Sequence, residues 1–315
     1  MQRRDFLKTT AATAASAFVG PSLASDAQNL PIVYFTKTIS PEKTLELFKK
    51  LEIELPGKTA VKIHSGEPGG NHFLKPDFIK PLVDAVEGTL VESNTAYRGR
   101  RHRTEDHWKA FEQHGFTEIA PCDILDADGE LELPVPNGKQ LTVNYVGANL
   151  KKYESSLVLS HFKGHMMGGF GGALKNISIG IASSHGKAVI HGAGDASKMW
   201  TCPSPLFQES MADASLSIMN FFKNKIAFVN AMKDLSVDCD CNARPKAPEM
   251  SDIGVLASVD PVALDQACVD LIYASDEPGK AGLIERMESR SSARLLEAAE
   301  ELGFGSRKYR LVEIA

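Results

Sequence analysis

From Ile32 onward, short apolar runs alternate with amphipathic stretches, and this order restricts the fold more than any other feature of the chain. Ile32-Val33-Tyr34-Phe35 predicts a strand, and Ser40-Pro41-Glu42 predicts a helix start with Ser40 as cap and Pro41 in the first turn. Thr59 to Ile63 predicts a strand, Lys75 to Val86 a helix, Thr89 to Glu92 a strand, and Glu105 to His114 a helix ending at Gly115. Strands alternating with helices imply a parallel sheet covered on its faces. Between Asp126 and Tyr145, the runs Gly129 to Leu133 and Gln140 to Tyr145 flank Pro136-Asn137-Gly138, the pattern of an inserted β-hairpin. Ser156 to His161 predicts a buried strand, Lys163 to Gly172 a glycine-rich loop, and a helix after it. Pro205 to Phe222 predicts a helix, Lys225 to Asn230 and Ile253 to Ser258 strands, and Pro261 to Ala274 a helix capped by Asp260. Leu283 to Leu302 predicts one last helix and Tyr309 to Ile314 a last strand. The expected fold is α/β: a mixed, mostly parallel sheet flanked by helices, with an inserted β-hairpin.

The amino terminus has a separate logic. Arg3-Arg4-Asp5-Phe6-Leu7-Lys8, the small and weakly apolar run Thr9 to Gly20, and Ser22-Leu23-Ala24 form a charged region, a core and a cleavage site. Residues 1–24 therefore predict a twin-arginine signal peptide, with the export machinery as partner and the periplasm as destination. The apolar run is too short and too polar for a stable membrane anchor. Removing it takes away Arg3, Arg4, Lys8 and Asp5 and moves the formal net charge from −5 to −7, which argues against nucleic acid as a partner. Five cysteines at irregular spacing make no disulfide framework.

Chemistry-bearing residues cluster after the predicted strands. Ser160 to Asn176 holds His161, Lys163, His165, Lys175 and five glycines in the stretch from Lys163 to Gly172, where backbone amides before a helix favour an anion. Its order matches neither the phosphate loop nor the dinucleotide fingerprint. Asp238-Cys239-Asp240-Cys241 places alternate thiols on one side of an extended backbone. They suit zinc, copper or an iron–sulfur cluster as soft ligands, and equally a redox pair or an exported disulfide. Ser93 to Arg101 offers hydroxyls and arginines to an oxyanion, and His64 and Glu67 follow a neighbouring strand. Asp260 is explained by capping, while Asp265 lies on an otherwise apolar helix where a carboxylate needs a partner.

Four blocks, taken in order, resemble the domain of unknown function 362 family, whose members are also described as uncharacterised iron–sulfur centre proteins. They are Ser93 to Gly99, Lys163-Gly164-His165 with Gly169 to Asn176, Asp238 to Cys241, and Ser258 to Asp265. The resemblance implies a single domain of that type over residues 30–315. Many members carry a ferredoxin-like insertion with cluster-binding cysteines ahead of the Asp-Cys-Asp-Cys block. This chain has only Cys202 between His191 and Asn224, so no four-iron four-sulfur cluster is expected.

The leading expectation is an exported metal-dependent enzyme or redox accessory protein acting on a small anion. Its catalytic candidates are Lys163, His165, Lys175 and Asp265. Gly168, Gly169, Gly171, Gly172 and Asn176 are candidates for holding a cofactor, and Thr95, Tyr97 and Arg98 for the anion. His165, Cys239 and Cys241 are the candidate ligands of one zinc, iron or copper ion. The alternatives are a non-catalytic binding or delivery protein and a thiol–disulfide exchange protein.

Overall fold

The computed structural model describes residues 30–244 and 246–315; the signal peptide lies outside them. Eight strands form the main sheet: β1 (Ile32–Thr36), β2 (Thr59–Lys62), β3 (Thr89–Glu92), β4 (Cys122–Ile124), β7 (Ser155–His161), β10 (Ile226–Met232), β11 (Gly254–Ser258) and β12 (Arg310–Glu313). Their order is β12-β1-β11-β10-β7-β2-β3-β4. Only β11 runs against its neighbours, pairing antiparallel with β1 and β10, so β10, β7, β2, β3 and β4 form a parallel block. This is the mixed, mostly parallel sheet the alternation predicts.

Both faces are covered, and the central strands are buried along their length. Successive side chains point to opposite faces. Val158, Phe228 and Leu256 enter one apolar layer with the helices α4 (Ala173–Ser178), α6 (Ser204–Phe222) and α7 (Pro261–Ala274). Leu157, Leu159, Val229 and Ala257 enter the other with α1 (Pro41–Lys49), α2 (Pro76–Ala85) and α3 (Thr104–Gln113). Ser40 accepts the Lys43 amide as the cap of α1, and Asp260 accepts the amides of Val262 and Ala263 as the cap of α7.

Three local readings are corrected, and one strand, β4, was not read from the sequence. The inserted hairpin pairs β5 (Glu130–Pro134) with β6 (Val143–Gly147), so its second strand begins at Val143 and not at Gln140. The buried Asp213 carboxylate accepts the amides of Lys139, Gln140 and Leu141 and holds them as a loop. The stretch from Lys163 contains a second small hairpin, β8 (Lys163–His165) with β9 (Gly169–Gly171). The last helix is two, α8 (Lys280–Ser289) and α9 (Ala293–Glu301), broken at Ser291, whose φ is 51°. β4 begins at Cys122 in a segment too short to show a strand pattern. Among the described residues, no helix is long and apolar enough to cross a membrane.

Candidate functional site

The parallel strands β2, β3, β7 and β10 end side by side, and the segments that follow them enclose a cavity of about 120 Å³. Ligands of open α/β sheets characteristically bind at the carboxyl ends of strands. Lys62 and His64 come from the end of β2, Glu92, Ser93, Thr95, Ala96, Tyr97 and Arg101 from the end of β3 and the segment after it, and His161, Lys163 and His165 from β7 and its hairpin. Cys239, Asp240 and Cys241 lie on the loop after β10. Lys175 and Asn176 come from α4, and Lys187 and His191 from α5 (Ser184–His191).

Three of the five cations on the wall are paired. Lys62 Nζ lies 3.1 Å from Glu92 Oε2 and 3.0 Å from Asn176 Oδ1. Arg101 Nε donates to Glu67 Oε2 at 2.9 Å, with its Nη1 3.5 Å from Glu92 Oε1. Lys163 Nζ lies 2.6 Å from Asp240 Oδ1, whose other oxygen is 2.8 Å from His161 Nδ1. Burial opposes ionisation of Glu92 and Asp240, but their cationic and imidazole neighbours outweigh it and hold both carboxyls well below the usual range.

The other two lysines are different. The Lys175 ammonium has neither a hydrogen bond nor an ion pair among the described residues, and burial with the repulsion of Lys62 and Arg101 pushes it down to about 8. Lys187 donates only to the carbonyls of Ala182 and Ser93, and burial pushes it down to about 7. His191 feels both ammoniums, and burial first, then these charges, takes it to about 4. His165 is held neutral by burial and by Lys175.

Cys239 and Cys241 are joined as a disulfide, and His165 Nε2 is 3.9 Å from Cys241 Sγ. Donor atoms of these three residues all lie within 4.8 Å of one another, so in the thiol form they make a group suited to a soft metal ion. His165 Nδ1 accepts the amides of Gly168 at 2.9 Å and Met167 at 3.2 Å. A neutral ring that accepts at Nδ1 carries its proton at Nε2, which faces the sulfur. To ligate a metal through Nε2, the ring must give up those two amide bonds. The two sulfurs carry no such restriction.

The predicted residues thus separate into groups. Lys163, His165, Lys175, Asn176, Gly171, Gly172, Thr95, Tyr97, Cys239 and Cys241 meet at the cavity. Arg98 does not: it is exposed and outside the lining, and the buried Arg101 stands in the position expected of it. Asp265 is also off the wall. It accepts the amides of Ala173 and Leu174 and the Asn230 side chain at 2.7–2.9 Å, fastening the start of α4. A Cβ on Gly172 would fall 2.3 Å from that carboxylate, which explains a glycine there by close packing. Gly168 ends the hairpin turn and Gly169, at φ 79°, opens β9 opposite His165; neither lines the cavity. Lys62, Glu92, Lys187 and His191 were not singled out from sequence, and Arg101 was read only as one arginine of its stretch. Lys62 had left a signal, a lysine inside a strand otherwise buried.

A twin-arginine translocation pathway signal sequence matches residues 1–20, which directs export to the periplasm. No curated protein matches the chain. Among solved structures, the lactate racemase apoprotein from Thermoanaerobacterium thermosaccharolyticum is similar at 14% identity and a TM-score of 0.40, over 64% of this chain and 51% of that one. A structural-genomics protein from Thermotoga maritima is similar at 14% identity and a TM-score of 0.41, over 83% of this chain and 59% of that one. The chain thus spans between half and three-fifths of the structures it matches. The model of the Domain of unknown function (DUF362) matches residues 59–270, a span that includes the whole cavity wall, and this chain belongs to that family.

Proposed function

We propose that this exported protein binds a small anion in the cationic cavity, against a thiol pair that holds one thiophilic metal ion when reduced, and that it acts as a metal-dependent enzyme or redox accessory protein. The observation behind this is the placement of Lys175, a cation without a partner among the described residues, on the same wall as His165, Cys239 and Cys241. A bound metal would supply Lewis-acid or redox chemistry beside the anion. Lys175 and Arg101 would orient the anion, and the neutral imidazole of His165 would donate a hydrogen bond to it from Nε2. The test uses protein purified from the periplasm and reduced with an excess of dithiol, then titrated with cobalt(II). One equivalent with a thiolate-to-cobalt absorption band is expected, lost in Cys239→Ser and Cys241→Ser. Less than a tenth of an equivalent of any transition metal removes the metal from the proposal.

A second reading has its own observation. The Nε2 proton of His165 faces Cys241 Sγ, where it would stabilise a thiolate released from the disulfide. In that reading the pair exchanges with an external dithiol. Exchange of one disulfide per chain with no metal uptake favours it over the first.

A further inference from the structure

The cavity's charges do not balance, and the imbalance has a place. Lys62, Arg101 and Lys163 each have a carboxylate within ion-pair distance, whereas Lys175 and Lys187 have none among the described residues. Lys175 stands on α4 beside the hairpin that carries His165: a Cβ on Gly168 would touch both the His165 ring and the Lys175 chain. Lys187 stands on α5 and reaches the carbonyl of Ser93, on the segment that also brings Thr95 and Tyr97 to the wall. Lys175 and Lys187 therefore offer two ammonium groups without ion-pair partners among the described residues at different parts of the wall, one beside the His165 hairpin and one at the Ser93 carbonyl. A buried charge without a counter-ion is costly, and a ligand that brings the counter-charge recovers that cost as affinity.

We infer that the natural ligand is a two-ended dianion of the dicarboxylate kind, one carboxylate at Lys175 and the other at Lys187. This rests on the anion-binding reading above and goes beyond it by fixing the number of the ligand's charges. At the Lys187 end the amine is on the wall to meet one carboxylate, while the Thr95 hydroxyl is committed to the Tyr97 carbonyl and the Tyr97 hydroxyl accepts from Arg101. The Lys175 end adjoins His165 and the sulfurs, so that half of the ligand faces the reactive group. Charge-assisted hydrogen bonds in a water-poor cavity are the strong kind, and a second one adds affinity that a monoanion cannot draw on.

Titration calorimetry on the mature chain with malonate, succinate, hydrogen phosphate and acetate tests this directly. Malonate or succinate is expected to bind at least tenfold more tightly than acetate. In Lys187→Gln that ratio is expected to fall below about threefold, and Lys187→Arg, which keeps the charge, should restore it; a tenfold ratio corresponds to about 1.4 kcal/mol. Circular dichroism of the variants establishes that they fold. If acetate binds as tightly as the dicarboxylates, or if the ratio survives in Lys187→Gln, the two-ended ligand is wrong while the anion site stands. If hydrogen phosphate alone outbinds acetate, the ligand has a single phosphate-type head and the inference is overturned. If none of the four anions binds, the anion-binding reading fails as well.

Discussion

Replacing Lys187 with methionine keeps most of the length of the side chain and removes the buried charge, and its effect on stability has a predictable pH dependence. In the folded chain the Lys187 amine is pushed from its ordinary 10.5 down to about 7, mainly by burial. The unfolded chain keeps the proton up to about 10.5, so between the two values it binds more protons than the folded chain, and wild-type stability rises with pH there. Below pH 7 the penalty of the buried ammonium is complete. At 1.36 kcal/mol for each tenfold change in proton affinity, the shift corresponds to about 5 kcal/mol. Relaxation and water penetration reduce this, and about half is a realistic size. Against it stands the lost hydrogen bond to the Ala182 carbonyl, about 1 kcal/mol. Lys187→Met is therefore expected to be more stable than wild type by roughly 1–2 kcal/mol at pH 6, and to match wild type within about 0.5 kcal/mol at pH 10, where the unfolded amine still holds most of its proton and the remaining cost of about 0.8 kcal/mol nearly offsets the lost hydrogen bond. Urea unfolding of both proteins at half-unit steps from pH 6 to pH 10 measures the difference curve. Asp126 and Glu92 raise the Lys187 amine while Lys62 and Arg101 lower it, and these opposed effects are already contained in its position near 7. A difference that stays flat, or that grows in favour of methionine as pH rises, refutes the reasoning.

Three further outcomes follow from the same geometry. Asp265→Ala strips an acceptor from the Ala173 and Leu174 amides and from Asn230, and should cost about 3 kcal/mol in urea unfolding and weaken acetate binding by displacing Lys175; a loss under about 1 kcal/mol contradicts its anchoring role. Arg101→Ala leaves Glu67 and Glu92 buried with a missing partner and should destabilise by about 3–5 kcal/mol, whereas Arg98→Ala should leave both stability and anion affinity within error. Ser291→Gly relieves a left-handed residue between α8 and α9 and should raise stability by roughly 0.5 kcal/mol in a thermal melt, less than the full strain because glycine also loosens the unfolded chain.

The sheet was legible because its strands are short apolar runs between capped helices, and Ser40 and Asp260 cap where the sequence places them. What it concealed depends on distant partners. The β-character of Gln140 to Thr142 is overruled by Asp213, a residue more than seventy positions away. The continuous helical pattern after Leu283 does not reveal the break at Ser291, where Ser292 packs against Gly169. At the cavity, the glycine-rich stretch and the cysteine pair were visible as local clusters. Lys187 and His191 were not, because a lysine and a histidine one helical turn apart read as an ordinary solvated face until α5 turns them inward. Arg98 and Arg101 are equivalent as letters; only the buried carboxylates of Glu67 and Glu92 distinguish them.

Asp240 stands between the two cysteines, with its carboxylate held by His161 on one side and Lys163 on the other. The peptide linking the sulfurs is thereby moored to the end of β7. Closure of the pair, around an ion or by oxidation, is then an intramolecular event with little chain entropy left to lose, and the local concentration of one sulfur seen by the other far exceeds that of any thiol in solution. Whatever the pair captures, it competes with outside thiols from a standing start of high effective molarity, set by a salt bridge that belongs to neither cysteine.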